Sequence, residues 1–173
     1  MTWLKASLYA CLTLFLTGCF TSDDPLISRD GEDFPITDGR YTALQLGDVE
    51  EDLFAWSGEL SYRDGRIWSA TPDAPLEHGV FRHVYDNFYA VMDASEEDSY
   101  LYLLVWTYPD GGVGLHLPSC GLLSADSLEE LGFELDGANC RFTSWEQLRE
   151  GMEFYIDDRD GELRPDVVLL PAR

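Results

Sequence analysis

The stretch SYLYLLVWTY, residues 99–108, is the most apolar run of the chain after the first 18 residues. Its apolar side chains follow one another without alternation, which is typical of a strand that is buried on both faces and central in a sheet. Pro109-Asp110-Gly111-Gly112 then predicts a turn, because proline and glycine favour the backbone angles that turns require. Residues 113–117 predict the returning strand, so we expect the sheet to form around this hairpin.

Shorter apolar or alternating runs upstream predict further antiparallel strands. Asp64-Gly65 separates two of these runs and is a strong hairpin signal, because glycine reaches the positive φ of a tight turn. Asp86-Asn87 separates two others. The predicted strands cover residues 41–46, 53–62, 67–68, 80–84 and 88–92.

A weak internal repeat links the two halves of this strand-rich region at an offset of 46 residues. Glu50-Glu51-Asp52 aligns with Glu96-Glu97-Asp98, and Asp64-Gly65 aligns with Asp110-Gly111. A period of this length can mark a duplicated supersecondary unit. Hairpins with Asp-Gly turns also resemble one another by chance, and the sequence leaves both explanations open.

The C-terminal third carries helical signals. Residues 124–132 begin with capping residue types and end in glycine. Residues 143–151 begin with Thr143 and have Glu146 three positions later, the spacing of a capping box. These patterns predict two short helices of about two turns each.

The end of the chain predicts a last pair of strands. Residues 152–156 and 167–170 are apolar and flank a turn near Asp160-Gly161. Pro165 either makes the final strand an edge strand or delays its start. The sequence therefore predicts an α+β fold dominated by antiparallel β-sheet, a curled sheet or small barrel, with two short helices in the C-terminal third.

The N-terminus has the features of an export signal. Lys5 precedes an apolar run over residues 6–16, which has the length of a signal-peptide core, whereas a membrane-spanning helix needs about twenty apolar residues. The run ends in Leu16-Thr17-Gly18-Cys19, which resembles the bacterial lipobox. The resemblance implies cleavage before Cys19, a diacylglycerol thioether on its sulfur and acylation of its new amine. An ordinary secretory signal cut elsewhere and an uncleaved anchor are the alternatives.

The same resemblance implies a location. In Gram-negative lipoproteins an aspartate after the lipidated cysteine signals retention in the inner membrane, and this chain has Phe20 there. We therefore expect an outer-membrane protein that faces the periplasm. The predicted organisation is a signal peptide over residues 1–18, a flexible tether over residues 19–37 and one globular domain over residues 38–173.

Two cysteines remain once Cys11 has left with the signal and Cys19 carries lipid. Cys120 and Cys140 are an even pair in an oxidising compartment, which predicts a disulfide. The loop of about 21 residues that it closes would stabilise the fold by about 3 kcal/mol. A redox pair or a zinc site is the alternative, but the pair lacks the Cys-x-x-Cys spacing and further nearby ligands.

The charge of the chain limits its partners. Without the signal the chain contains no lysine, and ten arginines stand against 33 acidic residues, a difference of −23. Such a surface repels nucleic acid and anionic lipid head groups. Adaptation to salt or to genome composition accounts for this charge, and a surface complementary to a basic partner is the alternative.

Catalytic signatures are not evident. The histidines, at positions 78, 83 and 116, lie in none of the common catalytic motifs. His83 is the best candidate for a general base, near Tyr85 and Asp86, although a hydrogen-bonded structural histidine is the simpler interpretation. We therefore predict no catalytic residue and no enzymatic activity.

Metal sites and carbohydrate platforms are weaker hypotheses. Residues 157–161, DDRDG, would place Ile156 and Val167 at ligand positions of an EF-hand, and neither side chain can bind calcium. Weak surface sites there or at residues 96–98 are alternatives to solvated turns, and we predict no metal and no cofactor. An aromatic platform at Tyr102, Trp106 and Tyr108 is an alternative to core packing.

Three functions follow from these patterns. The first is a lipid-anchored envelope protein that binds or scaffolds an unknown and conceivably basic envelope protein. The second is an inhibitor of a basic cell-wall hydrolase such as lysozyme, which known small, β-rich, disulfide-containing inhibitor lipoproteins resemble in type. The third is an envelope enzyme of unknown class.

Overall fold

The computed structural model describes residues 18–28, 35–46, 55–93, 99–123 and 125–172. Within these ranges the chain forms one open sheet of eleven strands, two α-helices and a 3-10 turn at Cys120–Leu122. The strands are β1 (Phe20–Ser22), β2 (Gly39–Gln45), β3 (Ala55–Arg63), β4 (Arg66–Ser69), β5 (Val80–Tyr85), β6 (Phe88–Asp93), β7 (Tyr100–Thr107), β8 (Val113–His116), β9 (Glu134–Asp136), β10 (Asn139–Arg141) and β11 (Val167–Pro171). The helices are α1 (Ala125–Leu131) and α2 (Trp145–Asp157). The predicted α+β class, dominated by antiparallel sheet, is confirmed; β1 and β10 form a parallel pair within it.

The central strand β7 organises the sheet. On one side β7 pairs with β6. On its other side the first residues of β7 pair with β1, and its C-terminal half pairs with β8. Tyr102, Leu104 and Trp106 point into one core, and Val105 points into the other. All four side chains are buried, so the prediction of a central strand buried on both faces is confirmed. It also means that Tyr102 and Trp106 are core residues rather than an open platform.

Two apolar cores lie against the sheet. The first contains β1 and β7 residues together with Leu148, Met152 and Tyr155 of α2, each of which is fully buried. The second contains residues of strands β2 to β8 and of β11, with Tyr41 and Leu169 among its members. The strands follow one another across the sheet in the order β4-β3-β2-β11-β8-β7-β1-β10-β9, and β5 joins through β6.

The hairpins predicted from Asp-Gly and Asp-Asn pairs are present. Asp64 and Gly65 have φ angles of 53° and 75°, the two positive values that a type I′ turn requires. Their turn joins β3 to β4 in antiparallel register. Asp86 has a φ of 47° and turns β5 into β6.

Helix α2 corrects two predictions. Residues 152–156 are helical rather than a strand, because Leu148, Met152 and Tyr155 recur at helical spacing and bury one face. The helix begins one residue later than predicted, since Ser144 is the N-cap. Its hydroxyl accepts a hydrogen bond from the main-chain N–H of Gln147 at 3.2 Å. Thr143 donates to the Gln147 side chain instead.

Strand β11 corrects a third prediction. It lies between β2 and β8, pairs with both in antiparallel register, and is not an edge strand. Pro165 lies outside the ladder, which begins at Val167, so a delayed start is the effect of this proline. The expected pairing of β11 with residues 152–156 is wrong, because those residues belong to α2.

The segment predicted as a tether is packed where the structure describes it. Phe20 is 0% exposed, and Ile27 and Ile36 are 1% and 2% exposed. Pro25 and Pro35 lie outside regular structure, and these three apolar side chains are nevertheless buried in the domain. The acidic triplets of the internal repeat, residues 50–52 and 96–98, lie outside the described residues, so the repeat stays a hypothesis.

Candidate functional site: the Cys19 edge

Cys19 immediately precedes β1. Its backbone N–H donates to Oδ1 of Asn139 at 2.9 Å, and its carbonyl accepts from the N–H of Cys140 at 2.9 Å. An isolated bridge joins it to Ser119, three residues after the end of β8. The backbone of Cys19 is therefore held by two segments, β10 and the segment after β8, and the residue is partly exposed.

The other two cysteines flank this position. Cys120 and Cys140 are bonded to each other, with Cα atoms 5.4 Å apart, in agreement with the predicted disulfide. The N–H of Cys120 donates to the Gly18 carbonyl at 2.6 Å. The disulfide thus joins the two segments that hold the chain on either side of Cys19.

Burial raises the pKa of the Cys19 thiol. The folded chain therefore keeps this sulfur protonated near neutral pH, which disfavours thiolate chemistry such as metal binding or disulfide exchange. A sulfur that is alkylated as a thioether has no proton to lose, so the raised pKa does not affect it.

A cleft of about 330 Å³ opens beside Cys19. Leu117 and Pro118 supply its apolar wall, and Gln45 and Asp166 supply its polar side. The cleft lies where β8 and β2 end and β11 begins, because Leu115, Val167 and Gln45 are neighbours across these three strands. The sequence did not predict it, since its walls come from segments far apart in the chain.

A polar chain of side chains lies behind the cleft. His116 Nδ1 is 3.0 Å from Oδ2 of Asp166. His116 Nε2 is 3.0 Å from the hydroxyl of Tyr155. That hydroxyl also accepts from the N–H of Ser119 at 3.3 Å, and the direction of its bond with Nε2 depends on the tautomer of the imidazole.

This Asp166–His116–Tyr155 arrangement has the composition of a proton relay, but its terminal hydroxyl is closed to solvent. Tyr155 is 0% exposed, and the Arg159 guanidinium lies 3.6 Å from its ring centroid. The hydroxyl contacts His116 and Ser119 and is not open to a substrate in this structure. The arrangement therefore positions β8, α2 and the Cys19 edge relative to one another.

The pKa of His116 is lowered by burial, and the Asp166 carboxylate opposes this effect while Arg159 adds to it. Between its lowered pKa and the ordinary value of 6.5, the unfolded chain binds more protons than the folded one. The stabilisation is therefore complete above pH about 6.5 and is lost as the pH falls through the lowered value.

We expect the His116→Gln variant to show a weaker fall in stability than the wild type when the pH drops from about 7 to about 5. Glutamine keeps a donor and an acceptor but does not titrate in this range. Urea unfolding followed by tryptophan fluorescence at several pH values measures the difference. Parallel pH profiles for the two proteins would show that His116 does not control this dependence.

The other predicted candidates lie elsewhere. His83 is in the β5–β6 hairpin, where its Nε2 lies 2.9 Å from the Asp86 carbonyl and its ring packs edge-on against Tyr89. Residues 157–161 form the end of α2 and the turn after it, with positive φ at Asp160 and Gly161. No group of three or more potential metal ligands is found among the described residues.

Several arginines are held against aromatic rings. Arg82 lies 4.3 Å from the Trp145 ring centroid, and Arg66 lies 4.7 Å from that of Trp68. These contacts, like that of Arg159, hold three of the guanidinium groups beside aromatic rings of the same chain.

Comparisons with known proteins provide no family for the chain. No protein-family model matches it, and no curated protein or solved structure matches it either. Among the described residues, no helix is long and apolar enough to cross a membrane.

Proposed function

We propose that the chain is a lipid-anchored protein of the bacterial envelope, cleaved before Cys19 and acylated on that residue. Its domain would be a non-enzymatic binding or scaffolding module, held at the outer membrane and facing the periplasm. The observation that carries the proposal is the lipobox-like Leu16-Thr17-Gly18-Cys19, whose cysteine is partly exposed and is followed at once by the buried Phe20.

The local geometry is compatible with both modifications. The sulfur of Cys19 is partly exposed beside the cleft, so a thioether substituent has a way out. An acylated amine is an amide and retains one N–H, which can still donate to Asn139. Cleavage removes the Gly18 carbonyl that accepts from Cys120, and the main-chain bonds of Cys19 itself are preserved.

The excess of acidic side chains supports a basic partner. The difference of −23 between arginines and acidic residues gives long-range attraction for a cationic protein surface. It disfavours nucleic acid and anionic lipid as ligands for the same reason. Binding to a basic envelope protein would accordingly weaken as salt is added.

We expect the Cys19→Ser variant, expressed in a Gram-negative host, to lose both its acyl groups and its membrane association. Two or three acyl chains anchor a protein stably, and serine cannot form the thioether. Mass spectrometry of the intact product, together with separation of membrane and soluble fractions, measures both effects. The Cys120→Ser/Cys140→Ser double variant is the matched control and should remain lipidated.

The proposal fails if the wild-type product begins at Met1 without acylation. It also fails if the Cys19→Ser variant sediments with membranes to the same extent as the wild type.

A further inference from the structure

We propose that three exposed leucines around Cys19 rest on the surface of a zwitterionic lipid bilayer. We call this surface the leucine rim; it consists of Leu46, Leu117 and Leu122, whose exposures are 48%, 38% and 60%. The inference rests on the proposed lipidation and adds to it an orientation of the domain and a second contact with the membrane.

Short backbone links connect the leucine rim to Cys19. The N–H groups of Leu46 and Leu117 bond to the carbonyl and the carboxylate of Asp166, at 2.7 Å and 2.8 Å. Leu122 donates to the Ser119 carbonyl at 3.1 Å, and Ser119 is the bridge partner of Cys19. The three leucines therefore belong to the segments that enclose the lipid attachment point.

Very little flexible chain separates the lipid attachment point from the folded domain. A flexible tether over residues 19–37 would give the domain a mean reach of about 25 Å. The amide of Cys19 is instead bonded to Asn139, and the next residue, Phe20, is buried in the core. Only the Cys19 side chain and its glycerol group separate the domain from the bilayer, so the surface around Cys19 must face the lipid.

The leucine rim also has the charge that a neutral lipid surface requires. Residues 117–123, LPSCGLL, contain no ionisable side chain except the cysteine of the disulfide, in a chain with a large acidic excess. Asp166 is a carboxylate at this edge, and it lies 3.0 Å from His116. Leucines at the level of the lipid head groups bury apolar surface that would otherwise contact water.

The test uses the lipidated full chain in phosphatidylcholine vesicles that contain a lipid with a doxyl quencher near its head group. An environment-sensitive fluorophore is attached to Leu122→Cys or to Leu46→Cys, the second of which lies away from the disulfide in sequence. Tyr108→Cys is the matched control, because Tyr108 has an exposure of 37% and lies at the opposite end of the β7–β8 hairpin. We expect quenching by about half at positions 46 and 122 and little at position 108.

Mass spectrometry of the same samples separates the two possible failures. Acylated protein with equal, weak quenching at all three positions would overturn the bilayer contact and leave the lipoprotein proposal intact. Protein without acyl groups would overturn both.

Discussion

Replacing Cys120 and Cys140 together with serine is expected to lower the free energy of unfolding by about 3 kcal/mol. The two cysteines are separated by 20 residues, and their bond restricts the unfolded chain. In the folded chain it joins the segment after β8 to β10, and both of these hold the start of β1. The loss of stability should therefore be greatest in the segments around Cys19.

Urea denaturation followed by tryptophan fluorescence measures this loss, and hydrogen exchange locates it. Cys19→Ser is the control for removing a cysteine without removing the bond, and it should unfold close to the wild type. Equal midpoints for the double variant and the wild type would contradict a bond between Cys120 and Cys140.

Substitution of Tyr155 by alanine should destabilise the protein by about 4 kcal/mol, the range typical of a large buried aromatic side chain. Tyr155 is 0% exposed, packs edge-on against Phe20 with ring centroids 5.7 Å apart, and bonds to His116. Removing it leaves a cavity between α2 and the sheet and an unpaired Nε2 on His116. Thermal or urea unfolding measures the change.

The neighbouring Phe154 is the matched control for this helix. It is only partly buried at the margin of the same core, so Phe154→Ala should cost about 1 kcal/mol. In a strand, residues 154 and 155 would point to opposite faces, and 154 would share the face of Met152. A larger loss for Phe154→Ala than for Tyr155→Ala would therefore contradict the helical assignment of residues 152–156.

The parts of the fold that local signals determine were predictable. Asp64-Gly65 specifies its own turn geometry, and the unbroken apolar run of β7 reports burial on both faces. Residues 152–156 were not predictable from their own pattern, because a five-residue apolar run fits either a strand or the end of a helix. The helix is determined by continuation of the spacing from Leu148, which a window beginning at Met152 does not include.

Long-range pairing accounts for the other differences. Strand β1 has three residues and no strand signal of its own. It forms because it pairs with β7 on one side and with β10 on the other. The position of β11 between β2 and β8 likewise depends on partners far along the chain. A proline near its start could not distinguish an edge strand from a late beginning.

The candidate site divides in the same way. Cys19 is marked by a local motif, and Cys120 and Cys140 are marked as the pair of cysteines that remains after it in the sequence. His116, Tyr155 and Asp166 share no motif, because they come from β8, α2 and the segment before β11. Only folding brings them together, so their spacing in the sequence does not predict their contact.

The position of β1 in the middle of the sheet imposes an order on biosynthesis. The amide partner of Cys19 lies 120 residues further along the chain, and contacts of such separation form late because the intervening loop must first close. If the chain is exported and acylated as proposed, Cys19 emerges long before the strands that will enclose it. The acylating enzyme would then meet an extended polypeptide, and the completed sheet would afterwards fix the backbone of the modified residue.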